Sequence, residues 1–195
     1  MSLFRFAVPL AAMLALGACS DVVPEPASAT APATAAPAES AETPGPNTLT
    51  PDGLGPIRIG MADADARAAI GAANIEGDTA DEVPGACVEI KLKGDYAGLW
   101  LIAEDGRITR ITAGEGSSVL TDKGLGVRAT PAAVRAAYPT GLEASPHKYE
   151  AAPAEYLTVW AVPKQKGLKY EVNGEGVVGS IHAGGPSIEY VEGCL

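Results

Sequence analysis

Few side chains in this 195-residue chain are suited to chemistry. Its two histidines are His147, in the loop-like run Ser145-Pro146-His147-Lys148-Tyr149, and His182, in Ser180-Ile181-His182. On a strand, Ser180 and His182 would share a face at i,i+2, which is the beginning of a nucleophile–base pair. Nucleophilic catalysis also needs a group to orient the imidazole and donors for an oxyanion, and the neighbouring sequence offers neither. Both histidines are therefore read as surface residues. Glu104-Asp105 is a pair of carboxylates, but adjacent residues point to opposite sides and these two fill an Asp-Gly turn. Asp63-x-Asp65 has the start of a calcium loop, yet Arg67 takes the fifth position and no glycine takes the sixth. Gly174-Glu175-Gly176-Val177-Val178-Gly179 spells the dinucleotide fingerprint, which works only between a strand and a helix N-terminus. Here it joins two strand-like runs and reads as a hairpin turn. The expectation is a chain that is not an enzyme and uses neither metal nor cofactor.

The aromatic residues carry more information. Both phenylalanines, Phe4 and Phe6, lie in the first ten residues, leaving two Trp and six Tyr for the rest of the chain. Tyr149, Tyr156 and Trp160 fall within twelve residues, and Trp100 occupies what reads as the comparable strand earlier in the chain. Tyr and Trp bury large area while keeping a polar tip wet, so these four form a candidate binding surface. A core without Phe would use the same residues, and that alternative stays open. The charge balance, 14 Lys+Arg against 24 Asp+Glu for a net −10, argues against nucleic acid, which needs a clustered basic face.

The elements that place these residues begin after a leader. Arg5 supplies a basic start, residues 6–16 are an apolar stretch of signal-peptide length, and Leu16-Gly17-Ala18-Cys19 ends it. That ending resembles the bacterial lipoprotein signal, the lipobox. The resemblance implies cleavage before Cys19, a diacylglyceryl thioether on its sulfur, and acylation of its new amino group. Several acyl chains on Cys19 would make a stable membrane anchor. Ser20, rather than an aspartate, follows Cys19, and by the same resemblance this implies the outer membrane, with the domain facing the periplasm of the cell envelope. Residues 22–47 hold eight Ala and six Pro among 26, with three Glu and no Lys or Arg. Such a stretch cannot offset its ordering entropy and reads as a disordered tether. Fully extended at ~3.1 Å per residue it would reach about 80 Å, and as a flexible coil nearer ~30 Å. The organisation is thus a signal peptide over 1–18, a lipidated tether over 19–47 and a folded domain over 48–195. In that oxidising compartment Cys87 and Cys194 should form a structural disulfide tying the first long strand to the C-terminus.

Within the domain, two windows repeat. Residues 60–71 match 126–139 through shared Arg-Ala-Ala cores, Arg67 and Arg135 lying 68 apart. Residues 105–114 match 175–184, with Ile111 and Ile181 lying 70 apart. The reading is a tandem duplication, repeat one over about 54–122 and repeat two over about 123–195. Each repeat is a short helix followed by about three antiparallel strands, an α+β layout. Thr130 and Pro131 open the second helix, and Asp63 is the expected cap of the first, which Gly71 stops. Val88, Ile90 and Leu92 alternate with charged residues, as on a half-buried strand. Runs 99–103 and 108–112 flank one hairpin turn, and 168–172 and 177–183 flank another.

The segment Ile57-Arg58-Ile59-Gly60-Met61, with Ile70-Gly71 after it, resembles the Gly-Met-Thr…Leu-Gly opening of small outer-membrane assembly lipoproteins and of β-lactamase-inhibitor-like domains. The latter are often built as two tandem copies on a shared sheet. Tyr190-Val191-Glu192-Gly193-Cys194 resembles the ending of a looser group of envelope lipoproteins. The functional expectation is a lipid-anchored, non-catalytic module that binds a protein partner through its sheet. An inhibitor of a lysozyme or β-lactamase is the alternative, and a small-ligand or hydrolytic cleft between repeats is a second one.

Overall fold

The structure is a computed structural model that describes residues 47–76 and 87–194. The signal segment 1–18, Cys19 and the tether through residue 46 lie outside the described residues.

In chain order the elements are β1 (Thr48–Thr50), β2 (Gly53–Leu54), β3 (Ile57–Arg58), α1 (Asp63–Ile70), β4 (Val88–Lys91), β5 (Leu99–Glu104) and β6 (Arg107–Ala113). They continue as β7 (Leu120–Thr121), α2 (Pro131–Ala137), β8 (Leu142–Pro146), β9 (Glu155–Val162), β10 (Lys166–Val172) and β11 (Val178–Gly184). Helix and strand mix as an α+β fold.

Local chemistry explains most of these boundaries. At α2, the Thr130 hydroxyl accepts the Ala133 N–H at 3.2 Å, Pro131 takes the first turn, and Val134 is buried. At α1 the expected cap is corrected: the cap position is Ala62, and Asp63 is already helical. The reason is that the Asp63 N–H donates to the Gly106 carbonyl at 3.0 Å, so the chain enters the helix from a bridge with β6 rather than through a capping side chain. Asp105 and Gly106, with φ of 50° and 71°, make the β5–β6 turn, the positive-φ pair that an Asp-Gly hairpin requires. Asn173 Oδ1 accepts the N–H groups of Glu175 and Val177, closing the β10–β11 turn in which the glycine-rich run sits.

The strands form two sheets. A four-stranded sheet runs β3-β2-β1-β7, and a seven-stranded sheet runs β4-β5-β6-β11-β10-β9-β8. The central pair of the larger sheet is β6–β11, with β5 then β4 on one side and β10 then β9 on the other. Thr112 stands opposite His182 in that central pair. The chain just before each helix bonds to the start of a central strand: Ile108 N–H donates to the Met61 carbonyl at 2.8 Å, and Val178 N–H to the Ala129 carbonyl at 2.9 Å. One face of the larger sheet carries Leu101, Ile111, Ile181, Leu168 and Leu157. It packs into one apolar core with Ala66 and Ile70 of α1, Val134 of α2, and Leu49 and Ile57 of the small sheet.

Candidate functional site

The other face of the larger sheet is polar. Its register sets out one row of Trp100, Thr112, His182, Lys169 and Thr158, and a second of Ile102, Arg110, Gly184, Gly167 and Trp160. A third row holds Ser180, Glu171 and Tyr156.

Glu171 is the hub. His147 Nε2 lies 2.9 Å from its Oε1, and Ser180 Oγ and His182 Nε2 lie 3.0 and 3.2 Å from its Oε2. His147 Nδ1 accepts the backbone N–H groups of Tyr149 and Glu150 at 3.2 and 3.1 Å, so the ring proton sits on Nε2 and is donated to Glu171. His182 Nδ1 is 3.0 Å from Thr112 Oγ1. With its Nε2–H given to Glu171, the Thr112 hydroxyl donates to Nδ1. The bond from His182, and after it the bond from His147, hold the Glu171 carboxyl down to about 2 against the opposing effect of burial. Burial pushes the His182 pKa below its usual value, with Glu171 opposing.

The reading of both histidines as surface residues is thereby corrected: their side chains are only 5% and 7% exposed. The structure does bring Ser180 and His182 together, with Oγ 3.2 Å from Nε2. That nitrogen already donates to Glu171, however, and the Ser180 hydroxyl donates to the same carboxylate oxygen. A hydrolytic triad needs its nucleophile and its orienting acid on different ring nitrogens of the histidine. Glu171 of β10 thereby ties Ser180 and His182 of β11 to His147 of the β8–β9 loop.

Two segments roof this polar layer, the β8–β9 loop (147–154) and the C-terminal stretch that begins with the 3₁₀ turn Pro186–Glu189. From the loop, His147 stacks on Tyr156 with centroids 4.7 Å apart. From the C-terminus, the carbonyls of Ser187 and Tyr190 each accept from Arg110 Nη1 at 3.1 Å, and Ser187 Oγ donates to the Thr109 carbonyl at 2.9 Å. Glu189 lies 3.6 Å from Lys169 Nζ, which stands 4.1 Å from the Tyr156 ring centroid. Burial lowers the pKa of both Arg110 and Lys169, and Glu89 and Glu189 are the foremost opposing charges. Ile102 on the sheet and Ile188 in the roof are fully buried, apart from the main core. Cys87 and Cys194 are bonded, as expected, and fasten the end of the roof to the strand edge.

The candidate aromatic residues divide. Trp100, Tyr156 and Trp160 share the polar face by register, but Trp100 in β5 and Trp160 in β9 stand four strands apart, about 19 Å at ~4.8 Å per strand. They do not occupy comparable strands, because the strand placed as β5 is, next to the central pair, is β10. Each indole is half-buried over a glycine, Gly114 just past the end of β6 for Trp100 and Gly167 in β10 for Trp160. A Cβ on Gly114 would lie 2.5 Å from the Trp100 ring, and one on Gly167 would lie 2.9 Å from that of Trp160. Tyr156 is 6% exposed, held between His147 and Lys169, and as a surface residue it is corrected to a buried one. Tyr149 is 61% exposed.

Tyr149 meets Tyr190 and Val191, exposed 40% and 39%, along a groove of about 380 Å³ between the two roofing segments. Cys87, Glu104, Lys148, Glu192 and Gly193 complete its lining. Tyr190 is held there by its hydroxyl, which donates to Glu104 at 2.9 Å. Reading the sequence alone missed Glu171, Arg110, Lys169, Tyr190 and Val191. For Glu171 the signal was partial, since the turn at 173–176 folds β11 back on β10 but a register shift beside Glu171 sets it across from Ser180 rather than Gly179. For the others there was none, because the C-terminal stretch returns over strands distant in sequence.

Among the described residues no group of three His, Cys, Asp or Glu side chains could hold a metal ion, and no helix is long and apolar enough to cross a membrane. Compared with known proteins, the chain matches no family model, no curated protein and no solved structure.

Proposed function

We propose that this chain is a lipid-anchored, non-catalytic protein-binding module of the bacterial envelope, tethered through Cys19 and facing the periplasm from the outer membrane. The observation that carries the reading is the groove: three of the five large hydrophobic side chains exposed among the described residues, Tyr149, Tyr190 and Val191, line it together. Exposed apolar residues gathered at a rimmed depression mark interaction sites more than scattered ones do. The polar layer beneath it is bonded inward, which favours binding at the surface over chemistry in the interior.

The domain itself is proposed to be a tandem duplication about the β6–β11 pair. Thr112 and His182 lie 70 apart, the offset of the downstream sequence match, and face one another in that pair. The segments leading into α1 and α2 dock on β6 and β11 in the same manner.

The test is to cross-link the full-length lipoprotein in its native membrane, purify it under denaturing conditions and identify attached proteins by mass spectrometry. One dominant partner is expected. It should be lost in the variant Tyr149→Ala with Val191→Ala, whose melting temperature should match the parent. No specific adduct would overturn the reading, and an adduct indifferent to that variant would move the docking surface away from the groove.

A further inference from the structure

The groove has a charge pattern as well as an apolar wall. Glu104 and Glu192 line it, and Glu89 stands at its border, where a Cβ added to Gly193 would come within 2.9 Å of the Glu89 carboxylate. Lys148 is the one cationic side chain in the lining. Arg110, whose Nη2 would lie 3.9 Å from a Cβ on Gly193, is 3% exposed and already spends its Nη1 on the carbonyls of Ser187 and Tyr190. The accessible polar atoms are thus mainly carboxylate oxygens, set beside the exposed ring of Tyr149 and the half-exposed ring of Tyr190. Carboxylates next to aromatic faces attract a cationic head group, and the Val191 side of the groove attracts an aliphatic stem. A net charge of −10 on the whole chain steers association in the same sense.

We infer that the groove between the β8–β9 loop and the disulfide-bound C-terminus takes a protein segment bearing a lysine or arginine beside an apolar residue. This rests on the protein-binding reading above and adds the chemistry of the partner. The volume of about 380 Å³ is at the small end of ligand sites, which suits a few side chains of a docked segment. The carboxylates at its mouth act on encounter and register, and the tyrosine rings and Val191 supply the buried area.

A photo-reactive benzoylphenylalanine replacing Val191 in the full-length lipoprotein tests this in the native envelope. Companion probes replace Trp100 and Trp160 in separate variants. After irradiation, the peptide joined to position 191 is sequenced. The expected result is one protein segment with Lys or Arg within a few residues of the link. Its yield should fall about fivefold in Glu104→Gln with Glu192→Gln, and stay level in the control Asp95→Asn with Glu175→Gln. The amide that Glu104→Gln introduces keeps an acceptor for the Tyr190 hydroxyl, so the groove wall is preserved in that variant, and an unchanged melting temperature verifies it. A linked segment that is acidic or uncharged, an adduct with lipid, or a yield indifferent to the two carboxylates would overturn the inference. Adducts at positions 100 or 160 with silence at 191 would overturn it and leave the protein-binding reading standing. Silence at all three positions would overturn both.

Discussion

Glu171 joins a loop histidine, a strand histidine and a serine through one carboxylate, and it does so at a position only partly open to water. Replacing it with alanine would leave two imidazole N–H groups without an acceptor beneath the roof. We expect Glu171→Ala to lower unfolding free energy by about 2–4 kcal/mol in urea titration, with Glu171→Gln milder because its carbonyl still accepts. The same cluster gives the stability of the domain a pH dependence with a definite sign. His182 is buried, and its folded pKa lies below the ordinary 6.5, so the unfolded chain takes up that proton first. Stability therefore declines as pH falls below about 6.5. Glu171 falls from 4.5 to about 2 in the folded state, so its contribution is present above 4.5 and is lost as pH drops towards 2. The melting temperature should fall in two stages on acidification, and His182→Gln should remove the first stage and shrink the second, because the bond from His182 is the largest cause that holds Glu171 down. A melting temperature flat from pH 7 to 5 in the parent would contradict the assignment of a neutral, buried His182.

Among the elements, the junction of β6 and β11 tolerates little change. Gly184 ends β11 with φ of +148°, and a Cβ there would run into the Thr109 carbonyl oxygen. Gly141 also has positive φ, +74°, but nothing lies within 4 Å of its would-be Cβ. Gly184→Ala should therefore destabilise by ~3 kcal/mol or more, through backbone overlap, and Gly141→Ala by only ~1 kcal/mol of conformational strain. Parallel urea titrations check the difference. The contrast also marks what the sequence made legible. The Asp105-Gly106 and Asn173–Gly176 turns, the Thr130 cap and the long strands around them follow from neighbouring residues, and the structure has them where turn chemistry puts them. The small sheet does not follow in that way: β1 pairs in parallel with β7, Leu49 meeting Thr121, across most of the first half of the domain. Its strands of two and three residues are too short to show a period. Edge strand β8 was hidden for a related reason, because Glu143, Ala144 and Ser145 are all exposed and carry no apolar alternation. In the site, the Ser180–His182 spacing was legible, whereas the Arg110 bonds to Ser187 and Tyr190 span 77 and 80 residues.

At the scale of the whole molecule, the Cys87–Cys194 bond can act in two ways that one comparison separates. Its sequence separation of 107 encloses β4 through the C-terminal stretch and leaves out only β1, β2, β3 and α1 among the named elements. On the chain-entropy account, closing such a loop stabilises by at most ~4–5 kcal/mol, all of it by restricting the unfolded chain. The structure adds a role in the folded state. The C-terminal stretch covers Arg110 and Lys169, both 3% exposed, and its last turn is anchored by Cys194. Without that anchor, the bonds from Arg110 to Ser187 and Tyr190 and the Lys169–Glu189 pair must hold the stretch alone, and water competes for each of them. We expect Cys87→Ser with Cys194→Ser to lose several kcal/mol in urea titration. We also expect faster native-state hydrogen exchange at the amides of Ile188 and Tyr190, which donate to Gly185 and Ser187. An entropic bond alone would shift the titration and leave those two amides as protected from local opening as before. Accelerated exchange confined to 186–194, with the amides of β6 and β11 exchanging only through global unfolding, would identify the disulfide as the fastener of the groove wall that carries Tyr190 and Val191.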